Sequence, residues 1–566
     1  MASRQRDESL RLLRERPDLD VLVIGAGVNG IAVFRELALQ GLRVLLVDKG
    51  DFCSGTSAAS SHMMHGGLRY LENGEFRLVR EALLERNRLL RNAPHHVKPL
   101  PTTMPLFRRF SGLLNAPLNF LGLLRRPGRR GGLVVRRGLL VYDWFTRNGR
   151  AMPLHYFNDR AQALRQRPAL NPDILCTATW YDAWLASPER LCIEMVTDGV
   201  AAHEEAFALN YTSAQAGQGA SVSLRDEETG AELAVRPRLV INAGGPWIDY
   251  VNRSLGAPTR WIGGTKGAHL VLAHKGLHAA CAGHELFFET SDGRIVLFFP
   301  LEDRVLLGTT DIPADDPDAV SVSQEESDYL LGALRLVFPD LTAGREHVVF
   351  QYSGIRPLPE SSTATTGQIS RDHSIRTIEA GEAGMDYPLL ALIGGKWTTF
   401  RAFGEQAADE ALRRLGRQRR FSTRELAIGG GREWPADEAL RSAWLARVGA
   451  NTGLPAARLA QLLERYGTRA EGLATFLAAE TDEALEHVPG YSRRELVWIA
   501  QQEAVLHLDD LLLRRTLLAM CGRVTAAGLA ETAQALGEAL GWSEARITEE
   551  RARAEQLLSE RHGVRL

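Results

Sequence analysis

At 566 residues the chain is long enough for several cores, and its 45% hydrophobic and 24% charged content with a formal net charge of −2 excludes a disordered, collagenous or disulfide-stapled class. That charge balance gives no reason to expect nucleic-acid binding. Five scattered cysteines (Cys53, Cys176, Cys192, Cys281, Cys521) form no C-x-x-C, which excludes a disulfide framework and a structural zinc site and points to reduced thiols.

Residues 1–18 alternate basic and acidic side chains without an apolar core of signal length, so a cytoplasmic chain is expected. No run of 18 apolar residues occurs, and no spanning helix is expected. Residues 20–24 (DVLVI) read as a strand that runs into Gly25-Ala-Gly27-Val-Asn29-Gly30, a helical pattern through Phe34 and Leu37 that stops at Gly41, and a second strand, 43–47, ending on Asp48. This is a βαβ dinucleotide fingerprint. Gly25 makes the tight turn, Gly27 admits a pyrophosphate to the helix N-terminus, Gly30 allows close helix–strand packing and Asp48 is placed for a ribose hydroxyl. An acid there disfavours a 2′-phosphate; the fingerprint alone does not separate FAD from NAD.

The next segment carries Thr56, Ser57, Ser60, Ser61, His62, His65, Gly66, Gly67, Arg69 and Tyr70, small hydroxyl residues and paired glycines suited to packing against a flat polar cofactor. Residues 107–142 hold eight arginines, no acid until the segment ends, and many leucines and phenylalanines, the composition of an interfacial anchor for anionic lipid. A strand at 239–241 enters Asn242-Ala-Gly244-Gly245-Pro-Trp247, a strand at 304–307 precedes Asp311, and a strand at 389–393 enters Gly394-Gly395-Lys396-Trp-Thr398. Glycine turns so far apart in sequence are expected to converge on one extended ligand. No His, Cys and carboxylate set has ligand spacing, so no metal is expected. Residues 429–435 read as a linker, and 455–464, 493–513 and 525–558 as helical, broken at Gly467 and Gly541.

The ordered motifs GAGVNG, SSHMMHGGLRYLE, NAGGPW, TKGAH, GTTD, YSGIRPL, SRDHS and GGKWTTFR, covering roughly 20–405, resemble those of the FAD-dependent, membrane-associated glycerol-3-phosphate dehydrogenases. The resemblance implies an α/β plus α fold: a Rossmann-type FAD domain interleaved with a β-sheet substrate domain over 18–427 (substrate parts roughly 76–180 and 260–350), and a helical C-terminal domain over 428–566. The tail would stabilise the FAD core, with a homodimer contact or a membrane face as alternatives; no EF-hand loop is present.

The implied reaction is oxidation of sn-glycerol 3-phosphate to dihydroxyacetone phosphate by hydride transfer to FAD N5, with electrons passed to membrane quinone, on the inner face of the cell membrane. Rival readings are a flavin oxidase using O₂ on a glycerophosphate or amino acid, and a non-catalytic flavoprotein scaffold. The residues carried over are His269, His65, Lys396 and Arg356 for catalysis, and Arg69, Tyr70, Arg356, Arg371 and Lys396 for the substrate. FAD would be met by Gly25, Gly27, Asn29, Gly30, Asp48, Thr56, Ser57, Ser60, Ser61, His65, Gly66, Gly67, Gly244, Trp247, Gly395 and Thr398. Arginine and lysine suit a phosphate dianion, and a histidine has the pKa for the hydroxyl proton. Retention of Lys266 and Lys396 in a chain with only five lysines agrees with a cationic site. The family commonly has Lys where His62 stands and Glu where Asp48 stands, which leaves the charge beside the flavin open.

Overall fold

A computed structural model describes residues 2–67, 75–108, 132–146, 151–290, 292–314, 316–360 and 372–566. A six-stranded sheet is built from Ser374–Ile378, Leu389–Ile393, Val240–Asn242, Val21–Ile24, Val44–Val47 and Ala206–Leu209, in that order. All neighbours run parallel except the first, an antiparallel edge. Strand alternation divides its apolar residues. Val21, Val23, Val44 and Leu46 face the helices Val28–Leu39, Pro188–Ala202 and Phe400–Arg414, whereas Leu22, Ile24, Leu45 and Val47 face a smaller four-stranded sheet and Leu13. Val28–Leu39 is apolar almost all round because it lies between the other two helices, where a side chain at Gly199 would overlap Phe34 and one at Gly404 would come within 2.8 Å of Ala32.

A ten-stranded sheet contains Val97–Leu106, Cys176–Leu185 and Ile262–Leu272, with Val348–Pro359 paired to the last. One face packs on Gln324–Val337, and the other on the C-terminal helices through Val271, Phe299 and Phe350.

Residues 2–15 form a helix, docked by Arg6 to Asp226 at 2.8 Å and to the Asn210 carbonyl at 2.7 Å. Two sequence expectations change. The 429–435 segment is no solvated linker. Gly429–Gly431 is buried, its N–H groups donate to Asp198 and Glu194, and a side chain at Gly430 would overlap the Tyr466 carbonyl. The helical run expected over 493–513 ends at Gln502, because Ala504 takes φ +51° and the chain turns before Leu508. Gly541, at φ +72°, does separate Ala526–Leu540 from Glu544–His562.

Candidate active site

Val21–Ile24, Val240–Asn242 and Leu389–Ile393 are adjacent parallel strands, so the three glycine turns that follow them meet at one sheet edge, the usual place for a ligand crevice. Gly25 has φ +103°, and a Cβ there would sit 2.7 Å from the Ala243 carbonyl. A Cβ at Gly30 would overlap the Gly25 carbonyl, so the helix lies directly on the turn. Gly27 begins the helix with no side chain of its own to cap it; Ser57 Oγ takes the Val28 N–H, and the other N–H groups of the turn are the natural anion donors. Asn29 donates to the Gly394 carbonyl at 3.2 Å, while its buried Oδ1 has no hydrogen-bond partner among the described residues. Gly395, at φ +97°, would meet Asn29 if it carried a side chain, and this places Lys396 beside the first turn.

Asp48 accepts from the N–H groups of Ala26 at 2.6 Å and Gly50 at 2.9 Å, so it orders the turn; burial pushes its carboxyl up to about 6. A glycine-led helix N-terminus, closely packed glycines and an unsatisfied buried acceptor fit a dinucleotide.

The hydroxyl-rich loop is held by its own side chains. Ser57 Oγ accepts from the Val28 N–H at 2.9 Å, Thr56 donates to the Ile355 carbonyl at 2.7 Å, and Ser60 Oγ accepts from the His62 N–H at 3.2 Å. These groups tie the loop down. Trp397 donates to the Ser57 carbonyl at 2.9 Å and Thr398 to the His65 carbonyl at 3.4 Å, joining the 55–66 and 394–398 segments. Trp247 packs over Gly55 and donates to Asp318 at 2.8 Å, and Gly244 donates to Asn242 at 3.0 Å.

Above this loop, Ile262–Leu272 pairs antiparallel with Val348–Pro359, setting His269 opposite Tyr352 and Thr265 opposite Arg356. Period-two alternation then puts Thr265, Gly267, His269, Tyr352, Gly354 and Arg356 on one face. The glycines make room: a side chain at Gly354 would overlap Ala59 of the loop, and one at Gly267 would overlap the Arg356 guanidinium. Ser61 Oγ and His269 Nε2 are hydrogen-bonded at 2.8 Å, and the imidazole stacks on Tyr352 with centroids 4.8 Å apart and planes 9° from parallel. Burial, with Arg356 and His62 nearby, holds His269 well below the ordinary imidazole pKa, so it is neutral at neutral pH. Arg356 donates to Asp311 and Thr309 Oγ1, both at 3.1 Å, and to the Thr310 carbonyl at 3.2 Å. Asp311 thus aims the guanidinium.

Lys266 does not join them: it pairs with Glu326 at 2.7 Å and donates to the Ser321 carbonyl. Burial lowers His62 to about 4, which answers the open question of charge at this position: a neutral ring, not a cation. Gly66 donates to Asp182, and Gly67 takes φ +76°. Arg69, Tyr70 and Arg371, and residues 109–131 of the basic segment, lie outside the described residues. His95, His96 and Glu194, and separately His507, Asp509 and Glu550, come together in space although no spacing marks them; both sets contain close histidine–carboxylate pairs at 2.8 Å. The Ser61–His269 pairing and the Asp182 contact were missed in the sequence because their partners are 208 and 116 residues apart.

Residues 20–410 match the FAD dependent oxidoreductase family model, and 421–547 the model for the C-terminal domain of alpha-glycerophosphate oxidase. A glycerol-3-phosphate dehydrogenase of Synechocystis is 32% identical over 93% of this chain and 93% of its own. The chain belongs to the FAD-dependent glycerol-3-phosphate dehydrogenase family. Glycerol-3-phosphate dehydrogenase 2 of Mycobacterium tuberculosis is 31% identical over 94% of this chain and 86% of its own length. The fold of this family member is that of the Bacillus halodurans glycerol-3-phosphate dehydrogenase solved with FAD, at TM-score 0.75 and 23% identity over 99% and 98% of the two chains.

Proposed function

We propose that the chain oxidises sn-glycerol 3-phosphate to dihydroxyacetone phosphate and passes the electrons to a membrane quinone. The observation that carries this reading is a neutral buried His269 and a carboxylate-aimed Arg356 on one sheet face, closed over the loop that leaves the dinucleotide crevice. FAD, when bound, supplies the hydride acceptor. Arg356 and Arg371 hold the phosphate, a dianion that rewards guanidinium forks. Lys396 polarises the C2 oxygen, and His269, which as a neutral imidazole keeps one ring nitrogen basic, accepts the hydroxyl proton; His65 is the second candidate for that role. The imidazole is 2% exposed and stacks on Tyr352, which excludes water from it.

Quinone lies in the bilayer, so the reading requires a lipid-facing surface. No helix among the described residues is long and apolar enough to cross a membrane. Helix Gly132–Thr146 buries Val135, Leu139 and Tyr142 while exposing Leu140, Val141 and Trp144 beside Arg136 and Arg137, a pattern suited to an anionic interface. Leu140→Glu with Trp144→Glu is expected to release the protein from anionic vesicles at low salt, and unchanged cosedimentation would remove this surface from the proposal.

The deciding experiment is anaerobic. Glycerol 3-phosphate is added to the holoprotein, and the flavin absorbance near roughly 450 nm is followed. Bleaching that a soluble quinone analogue reverses is expected; a flavin that stays oxidised would sink the substrate assignment.

A further inference from the structure

One peptide unit beside the proposed site is gripped at both ends. The bond between His65 and Gly66 has its carbonyl accepting from Thr398 at 3.4 Å and its N–H donating to Asp182 Oδ1 at 3.0 Å. The backbone ladder between Met63–Met64 and Cys176–Leu185 stops at Met64, opposite Ala183, and the Asp182 side chain takes over the next task on the same strand. Gly66 leaves no slack. A side chain there would overlap Leu83 and the Tyr142 hydroxyl.

Asp182 is the only carboxylate in the run Cys176–Leu185 and is 4% exposed. Its Oδ1 also accepts from Tyr142 at 2.6 Å and from Arg86 Nη1 at 2.8 Å, and its Oδ2 accepts from Trp180 Nε1 at 3.0 Å. Arg86, 2% exposed, donates in addition to Tyr142 at 2.7 Å and to the Tyr181 carbonyl at 3.1 Å. A buried ion pair is a weak source of stability compared with apolar packing of equal volume, and its clearest use is to impose one geometry. Here the geometry imposed is that of the His65–Gly66 peptide, with Arg86, Tyr142 and Trp180 leaving Asp182 little freedom to turn away.

We propose that Asp182, with Arg86 as its counter-ion, is a positioning residue that orients His65 against the Lys396 turn by clamping the Gly66 N–H, while Thr398 clamps the carbonyl of the same peptide. This rests on the site reading above, in which His65 and Lys396 meet the substrate or cofactor.

The test uses the holoprotein and reads the peptide directly as well as the rate. In Asp182→Asn with Arg86→Gln, hydrogen–deuterium exchange of the segment spanning residues 61–67 is expected to accelerate at least tenfold at Gly66, with exchange in the C-terminal helices unchanged. The kcat for glycerol 3-phosphate is expected to fall at least tenfold, with KM and bound FAD within twofold of wild type. Combining that variant with Thr398→Val is expected to cost less than the sum of the separate effects, because both act on one peptide. Unchanged exchange at Gly66, or a kcat loss matched by an equal loss of FAD, overturns the proposal. If the double variant does not fold, Thr398→Val alone decides: faster Gly66 exchange with a kcat reduced about threefold supports the clamp, and wild-type exchange overturns it. Wild-type protein whose flavin glycerol 3-phosphate fails to bleach refutes the substrate reading instead, and leaves the exchange measurement standing.

Discussion

Two arginine–carboxylate assemblies in this molecule use the same chemistry at opposite degrees of burial. Arg356 and Asp311 meet at 3.1 Å with side chains 23% and 24% exposed, whereas Arg515 and Asp51 meet with both side chains at 0%. The sealed assembly is the larger: Asp51 accepts from Arg514, Arg515 and Asn210, while Arg514 also reaches Asp509 and Asp510. It joins the turn after Asp48 to the C-terminal helices, and the two arginines hold the Asp51 carboxyl well below its usual range despite burial. All three guanidinium nitrogens of Arg515 donate within the protein, to Asp51 and to the Glu503 carbonyl. Arg356, 23% exposed and held by Asp311, Thr309 and the Thr310 carbonyl, stays within reach of solvent, so an anionic ligand can compete for it. The difference teaches that arginine count says little about binding until exposure and internal partners are known.

The largest expected effect lies in the sealed assembly. Asp51→Asn leaves Arg515 buried without its carboxylate while Arg514 keeps Asp509 and Asp510, and loss of one partner from a buried ionic cluster costs about 3–5 kcal/mol. Thermal unfolding of the holoprotein is expected to shift down accordingly, with FAD loss following unfolding; an unchanged midpoint would mean that water reaches this assembly. The open pair is expected to behave in reverse. Arg356→Ala should lower kcat/KM for glycerol 3-phosphate roughly 100-fold, the worth of about 3 kcal/mol for a charge-assisted phosphate contact, while stability changes by less than about 1 kcal/mol. Equal losses of stability and activity in this variant would erase the distinction between the two assemblies.

The same contrast sets what could be read from the residues alone. The strand–turn–helix of Val21–Leu39 was legible because every part of its argument is local: an apolar run, glycines at fixed spacing and an acid after the second strand. The convergence of three glycine turns was also legible, since each follows a strand and parallel strands end at one edge. Glycine alone misled at Gly429–Gly431, which resembles a linker but is a close backbone approach to Tyr466 and Gly467. Lys266 misled in the same way, because its position in a dense motif carried no sign of Glu326. The Asp51–Arg515 assembly spans 464 residues and has no local signature. Asp182 was the findable omission: a single carboxylate inside the strand CTATWYDAWL demands buried partners, and that demand was available before any coordinates.

Replacing one buried histidine provides the last test, and it separates charged from neutral buried groups. Burial lowers both His62, beneath the candidate site, and His96, beside the Gly429–Gly431 junction, to about 4. A histidine whose folded pKa lies below its unfolded value of about 6.5 binds protons more readily when unfolded, so its penalty is absent above pH 6.5 and grows as pH falls from there toward 4. Each ring contributes at most about 3 kcal/mol over that window, the product of the shift and 1.36 kcal/mol per pH unit. The histidine contribution to stability is therefore expected to fall on acidification from pH 6.5 to 4, opposed by Asp48, which at about 6 takes up its proton more readily when folded; His62→Gln, which keeps a buried polar side chain but cannot titrate, should remove the ring's share of the acid slope. The arginine assembly divides on this curve: its guanidinium groups keep their charge and its two arginines hold Asp51 low, but burial pushes Asp510 up to about 6, so Asp510 takes up a proton within this window and offsets part of the fall. If His62→Gln left the acid slope unaltered, the ring would have to be solvated in the native protein, and the candidate site would then be open to water from beneath rather than sealed by the 60–66 segment.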